Sequence, residues 1–197
     1  MSNMLTFRYG VVGSSKSANL LMQNHDFKLK NKNVLLLKSS LDTRDEAVIR
    51  SRVGLEANAT IFSKEDSLKE LISREIKKDK VDIILVDEAQ FLTTKQVKEL
   101  ALISNKIEIF CYGLMTTYLG TLFEGSSALV VYSDNLEEIP SICKWCNKKA
   151  TMSLRIVDEV PVYSGDTIQI GDIKEAKEYY VPCCRNHYFL PKLQNKK

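Results

Sequence analysis

Up to Tyr112, short apolar runs rich in Val, Ile and Leu alternate with stretches whose apolar residues recur every three or four positions. The first pattern predicts buried strands and the second predicts helices packed on them. Strands are expected over 5–9, 34–37, 59–62, 83–86 and 107–112, and helices over 18–30, from Ser67 to beyond Ile76, over 94–104 and over 127–132. Asn31 and Asn33 end the first helix, and Ser67-Leu68-Lys69-Glu70 reads as a capping box ahead of Leu71, Ile72 and Ile76. Strand-helix-strand units of this size form right-handed crossovers, so the expected fold class is α/β: a parallel sheet flanked by helices. The most informative run is Ile83-Ile84-Leu85-Val86, which stops at Asp87-Glu88 and continues as Ala89-Gln90-Phe91. Ligands of open α/β sheets gather at the carboxyl ends of strands, so both carboxylates are delivered to a rim that a substrate can reach. A solvated acidic turn is the plain alternative.

Composition narrows the partners. The 197 residues are 44% hydrophobic and 27% charged, enough for an α/β core plus a small appendage. A formal charge of +3, a pI near 8.5 and no basic block beyond Lys196-Lys197 argue against nucleic acid. No apolar run approaches the ~18 to 20 residues of a membrane span, and no secretory h-region follows Met1, so the expected location is the cytoplasm. Five cysteines, four of them in two close pairs, suit a metal site in a reducing compartment better than disulfides.

The first strand runs into Gly10-Val11-Val12-Gly13-Ser14-Ser15-Lys16-Ser17, a loop of the phosphate-binding kind. In such loops backbone N–H groups cradle phosphates at a helix N-terminus, a Lys neutralises the terminal phosphates and a hydroxyl meets Mg²⁺. Ser15 stands where the pattern has its second glycine. Small-residue turns also arise for packing alone, but a phosphate loop followed by a strand ending in an acid makes two halves of one nucleotide site, with the Asp holding Mg²⁺ through water.

Beyond Tyr112 the pattern changes. The segment 113–123 has glycines near its ends and aromatics inside, which suits cover for a flat apolar ligand or a plain surface turn. Cys143-Lys144-Trp145-Cys146 and Cys183-Cys184-Arg185-Asn186-His187 follow, separated by about forty residues, the spacing of a zinc ribbon. Cys184 has the C-x-x-H spacing to His187, with Cys183 as the C-x₃-H alternative. A set of four ligands is closed to water and reads as structural zinc.

The order of the Lys-Ser phosphate loop, Asp42-Thr43-Arg44, Asp-Glu-Ala-Gln-Phe, Tyr112-Gly113-Leu114, a Thr-aromatic segment and the zinc ribbon resembles thymidine kinases of the zinc-containing cytosolic type (type II) over nearly the whole chain. The resemblance implies a P-loop, RecA-like domain over 1–138 and a zinc-ribbon domain with a lasso loop over 139–197. It implies transfer of the γ-phosphoryl group of Mg-ATP to the 5′-hydroxyl of thymidine and deoxyuridine, giving dTMP, by a homotetramer under dTTP feedback. By the same likeness Glu88 is the general base, and Gly10, Gly13, Ser14, Ser15, Lys16, Ser17, Asp87 and Gln90 serve the nucleotide and its metal. Phe91, Leu114, Thr117, Tyr118, Phe123, Ser153, Gln169, Ile170, Gly171 and Tyr180 serve the nucleoside, while Cys143, Cys146, Cys184 and His187 hold zinc. Asp42 and Arg44 match a family motif near the transferred phosphate. The family commonly has Phe at the Tyr118 position, the lasso stretch 166–178 is longer than usual, and Ser15 departs from the family loop.

The chemistry fits, because phosphoryl transfer needs positioning and charge neutralisation more than covalent help. Two rivals have other consequences. Asp-Glu-Ala-Gln also resembles the acidic motif of helicase-type ATPases, which need two such domains where this chain has room for one. A regulatory module that binds nucleotide without turnover is the alternative that Ser15 suggests.

Overall fold

The computed structural model describes residues 4–42, 47–165 and 178–194. In chain order the elements are β1 (Leu5–Gly10), α1 (Lys16–Leu29), β2 (Val34–Ser39), β3 (Val48–Arg50), β4 (Glu56–Asn58), β5 (Thr60–Phe62), α2 (Leu68–Lys78) and β6 (Ile83–Asp87). After a 3₁₀ turn at Ala89–Phe91 come α3 (Thr94–Ile103), β7 (Glu108–Leu114), α4 (Glu124–Tyr132), β8 (Asn135–Glu138), β9 (Met152–Val157), β10 (Val160–Val162), β11 (Glu178–Cys183) and α5 (Arg185–Gln194).

Six strands form one sheet in the order β5-β2-β6-β7-β1-β8, and every pairing in it is parallel. Successive side chains of a strand point to opposite faces, and in β6 both faces are buried. Ile84 and Val86 pack with Leu68, Leu71 and Ile72 of α2, Val97 and Leu100 of α3 and Leu129 of α4. Ile83 and Leu85 face the other way, onto Leu20 and Leu21 of α1 and Ile49 of β3. Each such side chain stabilises the fold by roughly 1.5–3 kcal/mol through area removed from water, so β6 is firmly anchored on both faces. That anchoring sets the position of its carboxyl end.

Helix starts follow local chemistry. Ser67 accepts the Glu70 N–H at 3.3 Å, and α3 carries a reciprocal capping box between Thr93 and Gln96 at 3.2 and 3.0 Å. The register brings Lys38 level with Asp87, and Gly10 level with Leu114. The carboxyl ends of β1, β2, β6 and β7 therefore share one rim.

Several features depart from the sequence expectation, among them the antiparallel β3–β4 pair, where no strand was expected. β8 was not anticipated, because Asn135–Glu138 is polar and mostly exposed. As an edge strand it needs only one hydrogen-bonding side, which β1 supplies. The helix expected over 127–132 begins at Glu124.

A second, antiparallel sheet has the order β10-β9-β11. Leu154, Ile156 and Val181 pack there against Cys143, Cys183, Cys184 and Tyr188.

Candidate functional site

Between β1 and α1 the loop turns inward by alternating backbone hand. Gly13 has φ 73° and Ser15 has φ 61° with ψ 30°, the left-handed region. Glycine enters that region freely, whereas a serine there costs roughly 1–2 kcal/mol. Lys16 lies back over the loop, its Nζ donating to the Val11 carbonyl at 2.9 Å and to Ser14 Oγ at 3.4 Å. The ammonium is thus held over the concavity that the loop N–H groups enclose, ready to meet an anion.

Ser17, in the first turn of α1, donates its hydroxyl to Asp87 Oδ2 at 3.0 Å and Oδ1 at 3.3 Å. Asp87 is buried at the end of β6. Burial, reinforced by the Glu88 carboxylate, pushes its carboxyl up to about 7 against the opposing bond from Ser17. A buried, hydroxyl-bonded carboxylate beside a phosphate loop has the chemistry to receive a hydrated divalent cation, which would return it to the charged form.

Glu88 takes a left-handed conformation, φ 51° and ψ 40°, where β6 breaks into the 3₁₀ turn. Non-glycine residues in this region often mark functional turns. Its carboxylate is aimed by Gln90, whose Nε2 donates to Glu88 Oε2 at 2.5 Å while its Oε1 accepts the Leu114 N–H at 3.0 Å. Gln90 therefore joins Glu88 to the end of β7, and its side-chain bonds here run to that pair rather than to the phosphate loop. Gly113 makes room for this: a Cβ there would stand 2.8 Å from Gln90 Oε1.

Gln90, the partner of Glu88, also forms part of the wall of a cleft of about 190 Å³ lined by Lys64, Gln90, Phe91, Leu92, Thr117, Thr121, Leu122, Phe123 and Glu124. Phe91 and Phe123 meet edge to face, with centroids 6.1 Å apart. Thr117 shares a 2.8 Å hydroxyl contact with Thr121, which closes the 113–123 segment on itself. Of the residues expected around a nucleoside, Phe91, Thr117 and Phe123 line this cleft, and Leu114 flanks it through Gln90. Tyr118 and Tyr180 form a separate edge-to-face pair at 6.1 Å. Ser153 Oγ accepts the Val12 N–H at 3.1 Å and so is tied to the phosphate loop. Gln169, Ile170, Gly171 and Arg44 lie outside the described residues. Asp42 is ion-paired with the buried Lys38 at 3.4 Å.

Sequence reasoning missed Arg155, Glu178 and Lys64. Arg155 makes a nearly buried bidentate pair with Glu178, at 2.8 and 3.1 Å, and donates to the Tyr118 hydroxyl at 3.3 Å. This pairing depends on the register of β9 with β11, which no local pattern announces.

The donor atoms of Cys143, Cys146, Cys184 and His187 all lie within 4.8 Å of one another. This donor set suits a tetrahedral zinc ion. Burial pushes the Cys143 thiol up, but the backbone N–H groups of Cys184, Trp145 and Cys146 outweigh it and bring it down to about 6, towards the thiolate a metal needs. Cys183 is raised to about 12 by burial and sits in the apolar core of the second sheet. The cluster takes Cys184, and Cys183 is a core residue.

The thymidine kinase family model matches residues 3–188. The chain is 39% identical to the thymidine kinase of Lactococcus lactis over 192 residues, 96% of this chain and 98% of the relative. It is 41% identical to that of Enterococcus faecalis over 194 residues, 97% of each, and 40% identical to that of Lactiplantibacillus plantarum over 190 residues, 95% and 96%.

Proposed function

The chain belongs to the thymidine kinase family and is a kinase; on that premise we propose that it transfers the γ-phosphoryl group of Mg-ATP to the 5′-hydroxyl of thymidine, and of deoxyuridine, giving dTMP. The observation that carries this reading is the convergence of the phosphate loop, the Ser17–Asp87 contact and the Gln90-aimed Glu88 on one rim beside the aromatic cleft.

On this reading the loop N–H groups of Gly13, Ser15, Lys16 and Ser17 and the Lys16 ammonium hold the phosphates, and Ser17 and Asp87 would hold the Mg²⁺. The metal supplies charge neutralisation on the phosphates. Phe91 and Phe123 confine the pyrimidine, which directs the 5′-hydroxyl towards Glu88. Glu88 Oε accepts the hydroxyl proton as the oxygen attacks the γ-phosphorus, and the bond to the leaving ADP oxygen breaks. Gln90 keeps the carboxylate turned to the acceptor. The Cys143, Cys146, Cys184 and His187 cluster holds a structural zinc. The same reading carries a homotetramer, dTTP feedback, a P-loop domain over 1–138 with a zinc-ribbon domain after it, and a cytoplasmic location; no helix among the described residues is long and apolar enough to cross a membrane.

The test is product analysis with labelled thymidine and Mg-ATP. Equimolar dTMP and ADP are expected. Nucleotide binding without dTMP would leave the non-catalytic module.

A further inference from the structure

We propose that β9 couples the two substrate sites, with Ser153 and Arg155 as positioning residues. This rests on the assignment of nucleotide to the phosphate loop and nucleoside to the aromatic side. Leu154 and Ile156 of β9 pack into the core around the Cys/His cluster. Alternate residues of a strand point to opposite faces, so Ser153 and Arg155 share the other face, about 7 Å apart along the strand. Both are buried, at 3% and 6% exposure.

Ser153 reaches the phosphate loop, and Arg155 reaches Tyr118, the chain neighbour of Thr117 in the wall of the aromatic cleft. Ser153 Oγ takes the Val12 N–H at 3.1 Å, a bond between residues 141 positions apart. That bond fixes the rim of the loop, where the Ser14 N–H also turns back to the Val11 carbonyl at 3.3 Å, and it leaves the N–H groups of Gly13, Ser15, Lys16 and Ser17 to phosphate. Arg155 donates to the Tyr118 hydroxyl at 3.3 Å and stands over that ring at 5.3 Å. Its bidentate pair with Glu178 locks the guanidinium in place. Tyr118 in turn meets Tyr180 edge to face and accepts a 2.7 Å bond at its carbonyl from the Tyr188 hydroxyl.

A strand held on one face by a packed core cannot move at Arg155 and stay put at Ser153. A nucleoside seated against Thr117 steadies the adjoining Tyr118 and, through Arg155, β9, so the loop rim is in place when the nucleotide arrives. Such coupling is reciprocal, and its usual size is about 5- to 150-fold in affinity.

The experiment is calorimetric titration of the zinc-loaded protein with Mg-ADP, with and without saturating thymidine, so that no turnover occurs. Thymidine is expected to tighten Mg-ADP binding at least about fivefold. Ser153→Ala should reduce that factor to below about twofold, and Ser153→Thr, which keeps the hydroxyl, should restore it. Arg155→Lys, which loses the bidentate geometry, should lower it partway. Zinc content and thermal unfolding identify any variant that has simply misfolded. If both ligands bind and the factor is one in the parent, or is unchanged in Ser153→Ala, the coupling proposal is overturned and the kinase reading stands. If either ligand fails to bind the parent, both fall together.

Discussion

The Ser17 hydroxyl reaches both carboxylate oxygens of Asp87, at 3.0 and 3.3 Å, and so joins the start of α1 to the end of β6. That contact puts a titratable carboxylate where the fold itself gains least from its charge. Burial raises Asp87 to about 7, against 3.8 as its ordinary value. An acid whose folded pKa is raised binds more protons folded than unfolded, so its stability contribution falls as pH rises from about 3.8 through about 7. Asp87→Asn keeps an oxygen for Ser17 and removes that penalty. In the absence of Mg²⁺ and nucleotide, the variant should unfold at a temperature close to the parent's near pH 4 and several degrees above it at pH 8, at about 2–4 °C per kcal/mol. Its Mg-dependent turnover should fall at least tenfold, about 1.4 kcal/mol in transition-state terms. Thermal scans across pH, with no advantage at pH 8, would contradict the account.

Ser15 at φ 61° gives a second case of local cost at the site. Ser15→Gly should stabilise the protein by about 1 kcal/mol and preserve or improve ATP affinity. A Gly variant no more stable and binding ATP markedly worse would make the Ser15 hydroxyl a phosphate ligand.

Gly113 bears on Glu88 through Gln90. A built Cβ would lie 2.8 Å from Gln90 Oε1 and 2.9 Å from the Gln90 backbone nitrogen. Gly113→Ala should therefore displace Gln90, cost about 1–3 kcal/mol of stability and lower kcat, because the Glu88 carboxylate loses its aim. Parental kcat in a folded Gly113→Ala protein would remove Gln90 from that role.

The cysteines separate by environment. Cys183→Ser should keep one zinc per chain, and Cys184→Ser should lose it and destabilise the second sheet, since structural metal binding contributes directly to folding free energy. Zinc content by elemental analysis decides this. Loss from Cys183→Ser with retention in Cys184→Ser would reverse the assignment.

Much of this was legible in the sequence where chemistry and periodicity coincide. Ile83 to Val86 announces a strand buried on both faces, and the loop 10–17 and the Cys/His pairs carry their own spacing. Partners that depend on tertiary register were not legible. β8 is polar and exists because β1 offers it an edge. Ser153 reads as one more small residue near a nucleoside, yet its hydroxyl lies against Val12, 141 positions away. Tyr118 reads as a base-facing aromatic, and its nearest ties are to Arg155, Ser164, Tyr180 and Tyr188. Arg155 and Glu178 meet only once β9 and β11 pair.

The central claim is that Glu88 takes the proton of the acceptor hydroxyl. Its most direct test is single-turnover phosphoryl transfer to thymidine in Glu88→Gln, with thymidine affinity measured on the same preparation. The account predicts near-parental affinity and a transfer rate lowered by at least the ~10² expected for loss of a general base. Transfer at the parental rate would contradict it.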